Sequence, residues 1–382
     1  MAGWWQRIRR EWRDYRAFSR IPVEDRRIVI YSEGRGFWTH FEPVFRALRD
    51  EHGESVLYVT SDPNDPLLQQ PPEGMQSFCI GEHSIRTLFF AGLQARVLLM
   101  TLPDLHNYQL KRSPHGVHYV YLHHSMVSSH MIYRPAAFDH FDALLCVGPH
   151  HLVETRAREQ HLDLAEKTLV EHGYGRLDAI LAEDNAGPLT REDGAAPQVL
   201  VAPSWGEQAL LERHGADVLR PLLEAGLRVV LRPHPRTRKL RSGLLDAIAA
   251  EFRDHPDFHL DEDTDGKDSL LTSDLMVSDW SGAALEFALG LERPVLFVDV
   301  PRKVWNPDYQ SLGIEPLEVQ IREQVGRVLD PEELESLGDT AREMLASPQQ
   351  WQHNIRAARE RWIFNVGHSG SVAARYLVGQ LD

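Results

Sequence analysis

Residues 275–300 read LMVSDWSGAALEFALGLERPVLFVDV. A β-branched, apolar run ends at Asp279, the small residues Ser281 and Gly282 make a turn, an apolar helical stretch follows, and a second β-branched run starts after Pro294. Strands with no polar face, separated by helices, belong to a parallel sheet covered on both sides. The same alternation surrounds this stretch. Upstream lie QVLVAPSW (198–205), LRVVLRPHP (227–235) and FHLDE (258–262). Earlier come RIVIY (27–31), SVLYVTSD (55–62), ARVLLMT (95–101), VHYVYLHH (117–124) and ALLCVG (143–148). Between the two arrays, residues 181–197 (LAEDNAGPLTREDGAAP) are acidic, contain Gly and Pro, and have no apolar period, so they form the expected linker. The fold class is therefore α/β, with two doubly wound, Rossmann-like domains facing across a cleft. The expected boundaries are a helix over 1–20, a first domain over 21–180, a second over 198–347, and a C-terminal helical region over 348–382.

Composition narrows the function. The 382 residues carry a formal net charge of −15, which argues against non-specific nucleic-acid binding and requires a local basic patch for any polyanion. The two cysteines, Cys79 and Cys146, sit in apolar runs and fit a reducing compartment rather than a disulfide framework. No apolar run reaches the roughly 18 residues of a spanning helix, and the N-terminus lacks the apolar core of a secretory signal. A cytoplasmic protein, soluble or peripheral, is the expectation.

In a doubly wound sheet the residues just past the strands meet the ligand. In the second array these are Ser204-Trp205-Gly206, then His234 with Arg232 and Arg236 in RPHPR, then Asp279-Trp280-Ser281-Gly282. A small-residue turn running into a helix offers backbone N–H groups and the positive end of the dipole to an anion, and Ser281 adds a hydroxyl; a plain N-cap is the alternative. Two prolines fix the loop around His234, and its flanking guanidinium groups suit phosphate oxygens. In the first array, His123 and His124 end a strand and so point to opposite faces, one packed and one open to the cleft. The histidines lack the spacing of a zinc site, and SEGRGFW (32–38) lacks the third glycine of a dinucleotide fingerprint.

Read in order, LHHS, CVG, HGYGRLD, APSW, RPHP and LLTSDLMVSDWSGAALEFALGLERPVLFVD resemble the CDP-glycerol glycerophosphotransferases, over roughly residues 117–300. The closing RWIFNVGHSGSVAARYL looks like that family's last segment. The resemblance implies a glycosyltransferase-B architecture, with an acceptor hydroxyl attacking the β-phosphorus of CDP-glycerol and no cofactor beyond the nucleotide donor. It departs from the family's pattern at His124-Ser125, Gly175-Arg176 and Trp280-Ser281-Gly282, and in VPRKVWNPDYQ after the last strand. On this resemblance His124 is the expected general base on the acceptor hydroxyl. His234, assisted by Arg232, donates to the transferred or leaving phosphate. Ser281, the N–H of Gly282 and Ser204 hold the nucleotide phosphate, and Asp279 either orients His234 or binds a hydroxyl. An inverting glycosyltransferase using a nucleotide sugar, or a silent relative serving as scaffold in an envelope-polymer complex, remains the alternative.

Residues 1–20 reverse the sign of the chain: six arginines stand against Glu11 and Asp14. Trp5, Ile8, Trp12 and Tyr15 recur at helical spacing. Aromatic rings and arginines together favour an anionic membrane surface, consistent with the lipid-linked glycan acceptor that the resemblance implies. A helix docked on the protein's own surface is the competing expectation.

Overall fold

The apolar runs become the strands of two parallel sheets. The structure, a computed structural model, describes residues 2–108, 110–184, 196–261 and 268–381, with backbone alone for 2–4 and 184. The chain divides into two units: Met1–Ser125, Ser129–Ala179 and Ile363–Asp382 form one, and Met126–Ser128 with Ile180–Trp362 form the other.

In the first unit β1 (Ile28–Ser32), β2 (Val56–Thr60), β3 (Met75–Cys79), β4 (Val97–Met100), β5 (His118–Leu122), β6 (Ala143–Cys146) and β7 (Thr168–Glu171) lie in the order β3-β2-β1-β4-β5-β6-β7. Alternate residues feed two cores, which is why neither face is polar. Val29, Tyr31, Leu98, Met100 and Tyr121 join Phe18, Phe89 and Phe90 on one side. Ile28, Ile30, Val97, Leu99 and Leu122 join Phe41, Phe45 and Leu377 on the other. In the second unit β8 (Gln198–Val201), β9 (Arg228–Leu231), β10 (Phe258–Leu260), β11 (Leu275–Ser278), β12 (Val295–Val298) and β13 (Gly326–Leu329) take the order β10-β9-β8-β11-β12-β13. The winding reverses between β1 and β4 in one unit and between β8 and β11 in the other, and ligands of such sheets collect at these switch points.

Three strands, β3, β7 and β13, have no counterpart in the sequence-based expectation. All are edge strands and carry too few apolar residues to form a run, as MQSFC, TLVE and GRVL show. The helix Gly175–Asp184 takes the first four residues of the expected linker; residues 185–195 of that linker lie outside the described residues. The expected C-terminal helical region (348–382) is divided. Helix Pro348–Trp362 belongs to the second unit, where Arg359 bonds Glu292 at 2.7 Å, and helix Ser369–Val378 belongs to the first, against helix Trp38–His52.

HGYGRLD explains the return to the first unit. Asp178 accepts from the backbone N–H groups of Gly367 (2.6 Å) and Ser369 (3.0 Å) and from the Ser369 hydroxyl (2.5 Å). Gly173, at φ 103°, leaves room for the Phe364 carbonyl, which a Cβ would strike.

The N-terminal helix Ala2–Arg20 is docked along one face. Phe18 packs between Phe78 and Phe89, and Asp14 accepts from the Cys79 N–H at 3.2 Å. Trp5 and Trp12 stay 57% and 40% exposed.

Candidate active site

At the second unit's switch point, β8 and β11 deliver Ser204 and Asp279 side by side. The Asp279 carboxylate accepts from Ser204 N–H (2.7 Å), Ser204 Oγ (3.0 Å) and Leu210 N–H (3.0 Å) and is 1% exposed. Burial pushes its pKa up, while these three donors stabilise the charge. Sequence reasoning puts Ser204 on the nucleotide phosphate and has Asp279 orient His234 or bind a hydroxyl; in the structure the two bond each other and tie the APSW loop to the end of β11. Asp279 makes no hydrogen bond to His234.

Ser281 stands at the N-cap of helix Gly282–Leu291 with extended backbone, yet its side chain makes no capping bond. The helix start therefore keeps N–H groups without intrahelical partners, beside a hydroxyl not spent on the helix itself. A plain N-cap would have used it. The neighbouring Trp280 is structural: its indole N–H donates to the Val300 carbonyl at 2.7 Å, and Arg322 stacks on its ring at 3.8 Å.

His234 caps helix Pro235–Leu240, its Nδ1 accepting from the Arg236 N–H at 3.1 Å. That bond leaves the proton of the neutral ring on Nε2, as a donor. Burial, then the charges of Lys303 and Arg236, lower its pKa to about 4. Arg232 follows β9 and is partly buried, with its backbone N–H on Val201 O. Around His234 the structure gathers Trp205 and Arg236, both singled out from the sequence, with Lys303, which sequence reasoning missed. Trp205 lies 6.0 Å from the imidazole, and its ring is approached by Arg236 and by Lys303, each at 4.4 Å. The signal for Lys303 was available: Arg302-Lys303 stands in the loop that leaves β12 after Asp299-Val300-Pro301, past the strand end where ligands gather.

In the first unit, His123 and His124 diverge as their alternation requires. His123 is buried and stacks on His151 at 3.8 Å, and neither of its ring nitrogens has a hydrogen-bond partner among the described residues. His124 turns toward Phe37 (5.5 Å) and His40 (6.1 Å). Its Nδ1 meets the Tyr121 hydroxyl at 3.2 Å, and its ring also bonds the backbone of Thr101. Burial lowers its pKa to about 4, so the imidazole is neutral at neutral pH. Glu154 holds the chain beyond it by accepting from Ser129 N–H and Oγ, both at 2.6 Å, and from His130 N–H. Two further groups escaped sequence reasoning. His40 is buried with an unpartnered Nδ1. Glu33, just past β1, is pushed up to about 7 by burial, against the pull of Arg86. Among the described residues no three His, Cys, Asp or Glu side chains are grouped to hold a metal ion.

The family described as CDP-glycerol:poly(glycerophosphate) glycerophosphotransferase matches residues 14–304. No curated protein matches the chain by sequence. Among solved structures, the wall teichoic acid polymerase TagF is similar with a TM-score of 0.60 at 15% identity, covering 98% of this chain and 95% of that one. A putative UDP-N-acetylglucosamine 2-epimerase from Listeria monocytogenes gives 0.63 at 13% identity, with 93% and 95% covered. AviGT4, a glycosyltransferase involved in avilamycin A biosynthesis, gives 0.51 at 13%, with 93% and 96% covered. At such identities the likeness concerns the fold, and the fold is that of glycosyltransferase-B proteins.

Proposed function

This chain belongs to the CDP-glycerol:poly(glycerophosphate) glycerophosphotransferase family, and from that premise we propose that it moves glycerol phosphate, or a similar polyol phosphate, from CDP-glycerol to a hydroxyl of a lipid-linked or cell-envelope glycan. The acceptor oxygen attacks the β-phosphorus, the bond from that phosphorus to the CMP phosphate oxygen breaks, and CMP leaves. Such a transfer asks the protein for positioning and for neutralisation of phosphate charge.

The observation that carries this reading is the start of helix Gly282–Leu291, where Ser281 leaves its own helix uncapped. A phosphate of CMP takes up those N–H groups and the Ser281 hydroxyl. His234 donates from Nε2–H to a phosphate oxygen while remaining neutral, and Arg232 contributes charge from the same loop. His124 accepts the acceptor's proton; to do so, the acceptor hydroxyl replaces Tyr121 at Nδ1. A thermal-shift panel tests the donor. CDP-glycerol and CMP raise the melting temperature by mass action, whereas stabilisation by UDP-sugars alone would favour glycosyl transfer, and no response to any nucleotide would favour a scaffold.

Peripheral attachment at an anionic membrane belongs to the same proposal. No described helix is long and apolar enough to cross a bilayer. Trp12 and Leu88, both exposed, border a groove of about 530 Å³ between the N-terminal helix and helix Ser84–Gly92. Phe18 anchors the helix to the protein, while Trp5, Trp12 and several arginines remain outside to meet the interface.

A further inference from the structure

We propose that Lys303 is a phosphate-binding residue of the donor site, joining Arg236 and His234 around Trp205 to receive the second phosphate of a nucleoside diphosphate. The inference rests on the donor reading above and extends it to a residue in the segment where this chain departs from its family's pattern.

The geometry is that of a cation cluster awaiting an anion. The Lys303 ammonium and the Arg236 guanidinium each lie 4.4 Å from the centre of the Trp205 ring, and His234 is 6.0 Å from the same ring. Cation–π contact with an indole fixes both charges without neutralising them. Neither cation has a carboxylate within ion-pair distance among the described residues: of the two carboxylates whose charge Lys303 feels, Asp279 has its oxygens engaged by Ser204 and Leu210, and Glu212 accepts from the Thr237 hydroxyl at 2.6 Å. Two cations without ion pairs, beside a neutral imidazole donor in a protein of net charge −15, leave a local charge that an entering diphosphate would balance.

The loop is built to bring Lys303 there. Trp280, adjoining Ser281, bonds the Val300 carbonyl at 2.7 Å, and Asp299 pairs with Arg322 at 2.8 Å. Thus the tryptophan at the strand–helix junction and the Lys303 loop, two departures from the family pattern, are parts of one arrangement. Partial burial, with Arg236 nearby and against the pull of Asp279 and Glu212, lowers the Lys303 pKa to about 8, so its charge is present at neutral pH and lost above that value.

Calorimetry with the full-length chain tests this, using CDP-glycerol, CMP and inorganic pyrophosphate against wild type, Lys303→Gln and Lys303→Arg, with melting temperatures as the folding control. Lys303→Gln should weaken CDP-glycerol and pyrophosphate by about tenfold or more, the usual scale of a charged hydrogen bond, and CMP much less. Lys303→Arg should restore binding at pH 7. Between pH 7 and 9, wild-type affinity for CDP-glycerol should fall, and that of Lys303→Arg should stay level, because guanidinium keeps its charge. Equal CDP-glycerol affinity in wild type and Lys303→Gln would overturn the inference and leave the donor reading standing. Pyrophosphate binding that depends on Lys303, without any CDP-glycerol binding, would do the reverse. Binding of neither ligand by the wild type would overturn both.

Discussion

Asp279 and His124 show what a single side chain decides. Asp279 follows its strand as a substrate-binding aspartate would, yet three donors converge on it from the Ser204 loop. Its role is legible only once β8 and β11 are neighbours, a contact between residues far apart in the chain. Asp279→Ala leaves those donors buried and unpaired, at an expected cost of about 3–5 kcal/mol. Urea unfolding should register this loss directly; unchanged stability with weakened nucleotide binding would return Asp279 to the ligand. For His124, the divergence from His123 was legible from strand alternation, whereas the Tyr121 contact and Glu33 were not, because burial and long-range partners set them. His124→Ala should lower kcat roughly 10²–10⁴-fold at saturating donor and acceptor, with the melting temperature kept. Near-normal turnover would remove the histidine from the chemistry.

At the scale of elements, the central strands announced themselves through apolar runs, and the edge strands β3, β7 and β13 did not, since one flank of each is unpaired and its residues are mixed. HGYGRLD enters only as part of the family resemblance; in the structure it works as a clamp, with Asp178 and Gly173 seating the segment that returns through Phe364 to helix Ser369–Val378. Gly173→Ala would meet both the Phe364 carbonyl and the positive φ, and should destabilise the first unit by more than about 2 kcal/mol. Denaturant midpoints equal to wild type would contradict the clamp. Past the ends of β5, β6 and β7 lies a layer of buried imidazoles. Burial lowers His172 to about 4 and His123 well below its ordinary value. Their unfolded counterparts titrate near 6.5, so between about pH 6.5 and 4 the unfolded chain binds more protons than the folded one. Stability is therefore complete above about pH 6.5 and declines as the pH falls toward 4. The contribution is on the order of 3 kcal/mol for a group shifted as far as His172. Urea titrations at pH 7 and pH 5 check this; equal stability at both would mean the layer is solvated.

For the whole molecule, charge is distributed with purpose: an acidic body, an arginine-rich N-terminal helix, and a small cationic centre around Trp205. The helix was legible from its aromatic spacing, though only the structure divides it into a docked side at Asp14 and Phe18 and an outer side at Trp5 and Trp12. Removing residues 1–20 would uncover Phe78 and Phe89, so the sharper test replaces Trp5 and Trp12 with serine. Co-sedimentation with anionic vesicles should fall several-fold in that variant and diminish with salt; equal binding by variant and wild type would leave the groove without a membrane role. The central claim is phosphoryl rather than glycosyl transfer, and the leaving group distinguishes them. Incubation of the full chain with CDP-glycerol and a lipid-linked glycan acceptor, followed by ³¹P NMR, should show CMP appearing together with a new phosphodiester. Release of CDP, or reaction with UDP-sugars alone, would contradict it.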